Sequence, residues 1–198
     1  MSELRFRSAL DAVLAGTALP LMHFQPIVDL RRACVVGYEA LVRFPAPPVL
    51  PPDEWFANAA NRGKRVALER IVTALAMDSR GSLPPDTFLS VNMSPCFLAS
   101  DECSTILDGQ SDLSRLVIEI TEDDRVRDYP SLRNRLDSIR DRGGSIAVDD
   151  TGSGYASLQQ VMELRPQFVK LDRFFIENCH AEPAKSALIQ MIGDAPTA

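Results

Sequence analysis

Hydrophobic residues along this chain follow two alternating patterns. Six short segments are nearly continuous apolar runs, which is typical of strands buried on both faces of a sheet. We predict strands over residues 24–28, 34–44, 88–94, 116–122, 146–148 and 168–172. Between them, apolar residues recur at the spacing of one helix face. These stretches predict helices over residues 2–15, 66–77, 131–142 and 157–164. We predict two more helices, one capped by Asp53 and one that starts at Pro183.

The alternation of strands with helices predicts an α/β fold with a mainly parallel sheet. Glycines mark where helices end, at Gly16 and at the pair Gly143-Gly144. The proline-rich stretch 45–52 predicts a loop. With 198 residues, the chain is expected to form a single domain over 1–198.

Composition narrows the classes of function. A net charge of −6 and a pI near 5.0 argue against binding to nucleic-acid polymers, which requires a basic surface. No apolar run is long enough to span a membrane. The four cysteines contain no Cys-x-x-Cys pair, so we expect reduced, structural thiols in a cytoplasmic protein. Because His23 and His180 are the only histidines, any metal site must use oxygen ligands.

Polar side chains interrupt all six predicted strands, mostly in their C-terminal halves. They are Gln25, Glu39, Arg43, Asn92, Glu119, Glu122, Asp149, Asp150, Lys170 and Asp172. One such acid is usually part of a structural ion pair, but polar side chains on six strands together are hard to explain structurally, because each unpaired buried charge is costly. In a barrel of parallel strands these ends converge on one mouth. Carboxylate and amide oxygens suit Mg²⁺, Mn²⁺ or Ca²⁺.

The adjacent carboxylates Asp149 and Asp150 follow a short apolar strand and precede the turn Gly152–Gly154. Neighbouring strand residues point to opposite faces, so both can reach one ligand only where the strand ends. Their mutual repulsion would be relieved by a divalent cation. A solvated turn is the alternative, since Asp and Gly are common turn residues. The polar residues of the other strands favour the cation.

A series of motifs resembles the EAL-domain family, the cyclic di-GMP phosphodiesterases. The segment Tyr38–Phe44 reads YEALVRF. The other matching motifs follow in family order at residues 24–28, 90–95, 119–122, 149–154 and 169–172. Together they are highly specific and cover about residues 20–178. The resemblance implies a TIM-like (β/α) barrel whose first strand runs antiparallel to the others.

The resemblance also implies roles for individual residues. Five would be ligands of a two-metal site for Mg²⁺ or Mn²⁺: Glu39, Asn92, Glu119, Asp149 and Asp150. Lys170 would contact the attacking water, and Glu39 and Lys170 together would be the catalytic residues. Gln25 and Arg43 would bind cyclic di-GMP. Glu122 would anchor the loop after Asp150, which in this family couples dimerisation to the metal site.

Two departures from the family pattern matter. Thr151 stands where the family usually has Phe, which removes an apolar anchor from the regulatory loop. After residue 172 we find neither the last two strands nor the Glu that completes the second metal site. This leaves open whether the chain is a fragment or a naturally short relative. Unpaired edges of the first and sixth strands would favour a homodimer or other self-association.

Two functions therefore remain from the sequence. The first is metal-dependent hydrolysis of cyclic di-GMP to linear pGpG in bacterial second-messenger signalling. The alternative is a catalytically impaired domain that acts as a cyclic di-GMP receptor or a protein-interaction module, favoured by the absent Glu.

Overall fold

Six strands form one sheet whose spatial order follows the chain. The computed structural model describes residues 3–45, 47–120, 128–151 and 161–193, with backbone alone at 150, 151, 192 and 193. The strands are β1 (Leu21–Asp29), β2 (Cys34–Arg43), β3 (Phe88–Asn92), β4 (Leu116–Ile120), β5 (Ser145–Thr151) and β6 (Phe168–Leu171). β1 pairs antiparallel with β2, and each later pair is parallel. The expected α/β sheet with an antiparallel first strand is confirmed.

The sheet curls strongly across its width. The Phe88 ring on β3 and the Phe168 ring on β6 stack with centroids 6.0 Å apart, although two strands separate them. Lys170 on β6 likewise reaches Glu39 on β2 at 3.5 Å. A flat sheet would place β2 and β6 about 19 Å apart, at roughly 4.8 Å per strand. The described strands therefore form a curled half-barrel, two strands fewer than the eight of a closed TIM barrel.

Eight α-helices have both ends within the described residues. They are α1 (Glu3–Leu14), α2 (Pro52–Ala60), α3 (Arg65–Ser79), α4 (Pro95–Leu98), α5 (Asp101–Asp108), α6 (Tyr129–Arg140), α7 (Arg173–Ile176) and α8 (Pro183–Gly193). Short 3₁₀ turns lie at Arg80–Ser82 and Cys179–Ala181. Residues 161–164 are also helical, while the predicted start of that helix at residue 157 lies outside the described residues.

The two faces of the sheet have different environments. Residues such as Leu89, Val91 and Ile118 on the convex face join the main core with side chains from the covering helices. Because side chains alternate along a strand, the residues between them point to the concave face. A second core lies between α1, α2 and α3, where Trp55 stacks on Phe44 with ring centroids 4.4 Å apart. The concave face is thus left for the polar residues.

Several local predictions need correction. Asp53 does not cap α2, because the helix already begins at Pro52 and has Pro51 at the capping position. Proline suits the first helical turn, where its missing N–H has no partner to lose. β5 continues beyond the apolar run to Thr151, with a register shift against β6 between Val148 and Thr151. The sequence predicts that the strand ends before the two aspartates. The structure shows instead that both lie within β5.

The turn between α6 and β5 depends on its two glycines. Gly143 has a φ of 87°, a left-handed conformation that favours glycine. A Cβ on Gly144 would lie 2.6 Å from Cγ2 of Ile139, a buried residue of α6. The pair therefore ends α6, as predicted. It also lets β5 start close to the buried side of that helix.

All four cysteines are free thiols, as the sequence predicts, but only one is fully buried. Burial raises the pKa of the Cys103 thiol to about 12, which makes it unreactive. Cys34 and Cys96 are exposed, so the expectation of structural thiols is wrong for them. Within the described residues, no helix is both long and apolar enough to cross a bilayer.

Candidate metal centre

Five predicted site residues lie together on the concave face of the sheet. Each comes from a different strand: Glu39 from β2, Asn92 from β3, Glu119 from β4, Asp149 from β5 and Lys170 from β6. Pairing in register aligns two of them directly, because Asn92 is the partner of Glu119 across β3 and β4. The curl of the sheet brings the outer strands to the same point.

Three carboxylates form the centre of this cluster. One oxygen from each of Glu39, Glu119 and Asp149 lies within 4.8 Å of the others. The side chain of Glu119 is 2% exposed, and those of Glu39 and Asp149 are 17% exposed. Three negative charges at this distance and burial repel one another unless cations compensate them.

Lys170 supplies a positive charge to all three carboxylates. Its Nζ donates to Oε2 of Glu119 at 2.6 Å and to Oδ2 of Asp149 at 3.0 Å, and lies 3.5 Å from Oε1 of Glu39. Burial alone would lower the pKa of Lys170, but the attraction of Glu119, supported by Asp149, raises it above its usual value. The lysine therefore carries its positive charge at the centre of the cluster.

Neutral side chains also donate hydrogen bonds to two of the carboxylates, Glu39 and Glu119. Asn92 donates its amide N–H to Oε1 of Glu39 at 3.1 Å, which leaves its Oδ1 as the atom suited to a cation. Ser90 donates its hydroxyl to Oε1 of Glu119 at 2.5 Å. Ser90 is not among the site residues that the sequence predicts. Its position two residues before Asn92, on the same strand face, was the available signal.

The two predicted nucleotide-binding residues lie near this cluster on exposed positions. Gln25 is the β1 residue paired in register with Glu39, so its side chain is on the same face. Arg43 ends β2 on the face of Glu39, and its Nη1 donates to the carbonyl of Val42 at 2.9 Å. In the described part of the chain, no hydrogen bond or ion pair joins either side chain to the three carboxylates.

A buried network supports the strand end that carries Asn92. Glu69 on α3 accepts hydrogen bonds from the backbone N–H of Ser94 at 3.0 Å and from its hydroxyl at 2.9 Å. Arg65 balances the charge of Glu69 at 2.7 Å. Ser94 in turn caps α4 by accepting from the N–H of Phe97. This network fixes the turn directly after β3.

An aromatic layer lies below the carboxylates on the same face. Phe88 precedes Ser90 and Asn92 on β3, and its ring stacks on that of Phe168, which precedes Lys170 on β6. Gly37 on β2 makes room for this layer, because a Cβ there would lie 2.5 Å from the Phe88 ring. The polar cluster therefore has an apolar floor.

Comparison with known proteins decides the family. The model of the EAL domain family matches residues 10–195. The chain belongs to the EAL domain family. The resemblance inferred from the motifs is thereby confirmed.

Two curated relatives illustrate the similarity of this EAL domain. An uncharacterized protein, y4lL, of Sinorhizobium fredii is 30% identical over 95% of this chain and 24% of its own length. The cyclic di-GMP phosphodiesterase PdeL of Escherichia coli is 28% identical over 85% of this chain and 49% of its own length. The chain spans less than half the length of the curated relatives it matches here.

Solved EAL structures share the fold. An EAL domain protein from Listeria monocytogenes superposes with a TM-score of 0.82 at 24% identity, covering 97% of this chain and 77% of its own. BlrP1 from Klebsiella pneumoniae, solved as a complex with manganese and cyclic di-GMP, gives a TM-score of 0.73 at 26% identity. That match covers 87% of this chain and 45% of BlrP1. The fold class is confirmed as a TIM-like barrel of EAL type, here with six described strands.

Two remaining site predictions for the EAL domain have no described side chain. Asp150 lies in β5, but its side chain is outside the described part of the structure. Glu122 and the loop over residues 152–154 lie outside it altogether. Among the described residues, the clustered carboxylate oxygens of Glu39, Glu119 and Asp149 fit a hard divalent cation. Asn92 lies beside them through its hydrogen bond to Glu39.

Proposed function

We propose that this EAL domain hydrolyses one phosphodiester bond of cyclic di-GMP to give linear pGpG, with Mg²⁺ or Mn²⁺ as cofactor. The observation that carries the proposal is the meeting of three carboxylates within 4.8 Å on the concave face of the sheet. Support comes from the E. coli relative named a cyclic di-GMP phosphodiesterase and from the manganese and cyclic di-GMP complex of BlrP1.

In this proposal some residues of the cluster would bind metal and others would bind the dinucleotide. Glu39, Asn92, Glu119 and Asp149 would be metal ligands, with Asp150 contributing to a second metal. Bound cations would activate water and neutralise charge on the phosphoryl oxygens. Gln25 and Arg43 would bind the dinucleotide on the open side of the cluster, Arg43 through a charge-assisted contact.

Lys170 and Glu39 would be the catalytic residues. Lys170 Nζ, which donates to Glu119 and Asp149, would orient water or the phosphate beside the carboxylates. Glu122 would anchor the loop after Asp150. We further propose that residues 1–198 fold as one domain, that the protein is cytoplasmic and that it forms a homodimer.

The test is incubation of the 198-residue chain with cyclic di-GMP and Mn²⁺ or Mg²⁺, followed by chromatographic separation of the nucleotides. We expect pGpG, and we expect a chelator to abolish it. Glu39→Gln should lower turnover by about a hundredfold or more, since it removes one charged ligand. A matched control is Glu182→Gln, an acid in a remote ion pair with Lys185 at 3.1 Å.

Two outcomes would contradict parts of this proposal. Turnover in Glu39→Gln equal to that of the unchanged chain would exclude Glu39 as a ligand. Saturable binding of cyclic di-GMP without any pGpG would instead identify a receptor, the second function that the sequence left open.

A further inference from the structure

The ammonium of Lys170 and a metal ion would compete for the same carboxylate oxygens. Lys170 contacts Oε2 of Glu119, Oδ2 of Asp149 and Oε1 of Glu39 at 2.6, 3.0 and 3.5 Å. These three residues are also the cluster that could hold a metal ion. A divalent cation lies about 2.0–2.6 Å from its oxygen ligands, so the ammonium and the cation cannot both lie at the centre of the cluster.

The charges of the cluster make this competition significant. Lys170 brings one positive charge to three carboxylates in a largely buried site. Removing the lysine would take away a positive charge that all three carboxylates share, and burying charge with less compensation destabilises a fold. Lys170 therefore favours folding without metal, while its positive charge opposes the approach of another cation.

The position of Lys170 allows it to withdraw. Its side chain is 33% exposed, whereas that of Glu119 is 2% exposed. It lies on β6, the last strand of the described sheet, and a lysine side chain has a flexible four-carbon stem. By contrast, Glu119 and Glu39 are held by hydrogen bonds from Ser90 and Asn92. The lysine is thus the member of the cluster that can move.

We propose that Lys170 is an internal counter-cation that compensates the carboxylates in the metal-free protein and limits metal affinity. The inference rests on the metal site proposed above. Metal entry requires the ammonium to leave at least one of its three carboxylates. Lys170 then sets the metal concentration at which the site fills, in addition to any role toward substrate.

The test measures Mn²⁺ binding by calorimetry and the unfolding temperature in chelator, for the unchanged chain and for Lys170→Met. We expect Lys170→Met to bind Mn²⁺ about tenfold more tightly, since a neighbouring positive charge has been removed. In chelator it should unfold at a lower temperature. Lys185→Met, which removes a lysine paired with Glu182 at 3.1 Å, should leave Mn²⁺ affinity unchanged.

Equal or weaker Mn²⁺ binding by Lys170→Met, or no binding by either protein, would overturn the inference. If Lys170→Met does not fold in chelator, the double variant Glu119→Gln/Lys170→Met is measured next. Its cluster has the same net charge as that of the unchanged chain. Recovery of folding in this double variant would support the counter-cation, and failure to recover would overturn it. Mn²⁺ binding without pGpG formation would refute the proposed hydrolysis and leave this inference standing.

Discussion

At the residue scale, the orientation of Glu119 depends on two donors. Ser90 donates to Oε1 at 2.5 Å, and Lys170 donates to Oε2 at 2.6 Å. Burial raises the pKa of Glu119, and the charge of Lys170 and the hydrogen bond from Ser90 counteract that effect. Ser90 therefore both orients this carboxylate and favours its charged form, which is the form that binds a cation.

This arrangement predicts the effect of Ser90→Ala. The variant should fold, but it should bind Mn²⁺ about tenfold more weakly, because residues that orient a metal ligand commonly contribute this much affinity. Calorimetric titration with Mn²⁺ provides the measurement. Ser79→Ala is the control, since it removes a hydroxyl that donates to the carbonyl of Leu75 at the C-terminal end of α3. Unchanged Mn²⁺ affinity in Ser90→Ala would show that Ser90 does not position Glu119.

At the scale of the elements, the concave face is arranged in layers along the strands. Gly37 pairs in register with Phe88, and Glu39 pairs with Ser90 one layer above. Asn92 and Glu119 form the next aligned pair. The aromatic layer therefore underlies the polar one, and its packing fixes the separation of the strands that carry the carboxylates.

Gly37→Ala should disturb this layer. Its Cβ would lie 2.5 Å from the Phe88 ring, so the ring must shift, at a cost of about 1–2 kcal/mol in the free energy of unfolding. Urea denaturation measures this change. In a Phe88→Leu background the cost should shrink, because the ring that causes the clash is gone.

Gly81→Ala is the matched control for Gly37→Ala. A Cβ at Gly81 would meet nothing within 4 Å, so we expect a change in unfolding free energy near zero. Equal costs at the two glycines would contradict the packing of Gly37 against Phe88.

At the scale of the whole molecule, one metal site would join four strands of the sheet. Glu39, Asn92, Glu119 and Asp149 come from β2, β3, β4 and β5, so a cation bound to them would link the sheet across most of its width. A ligand that binds only the folded protein stabilises it by about 2.7 kcal/mol at a concentration one hundred times its Kd.

Mn²⁺ at such a concentration should therefore raise the thermal unfolding midpoint by about 5–10 °C. Differential scanning calorimetry with Mn²⁺ and with chelator measures the shift. The shift should disappear in Glu39→Gln. An equal shift in that variant would mean that Mn²⁺ stabilises the protein at another site.

Sequence patterns alone located the six strands and the residues that form the cluster. Apolar runs marked the strands because parallel strands are buried on both faces, and the charged residues within them stood out for that reason. The motifs around Glu39, Asn92 and Lys170 identified the family before any contact was known. The same local reasoning was wrong at Asp53, because the cap of α2 is Pro51 and the helix starts two residues earlier than predicted.

Only the tertiary structure showed which of these residues touch. The contact of Lys170 with three carboxylates, the bond from Ser90 to Glu119 and the stacking of Phe88 on Phe168 all join different strands. Such contacts depend on strand register and on the curl of the sheet, which arise from the packing of the whole domain. A local pattern determines which face a side chain occupies, but the distance between side chains on that face depends on how the strands assemble.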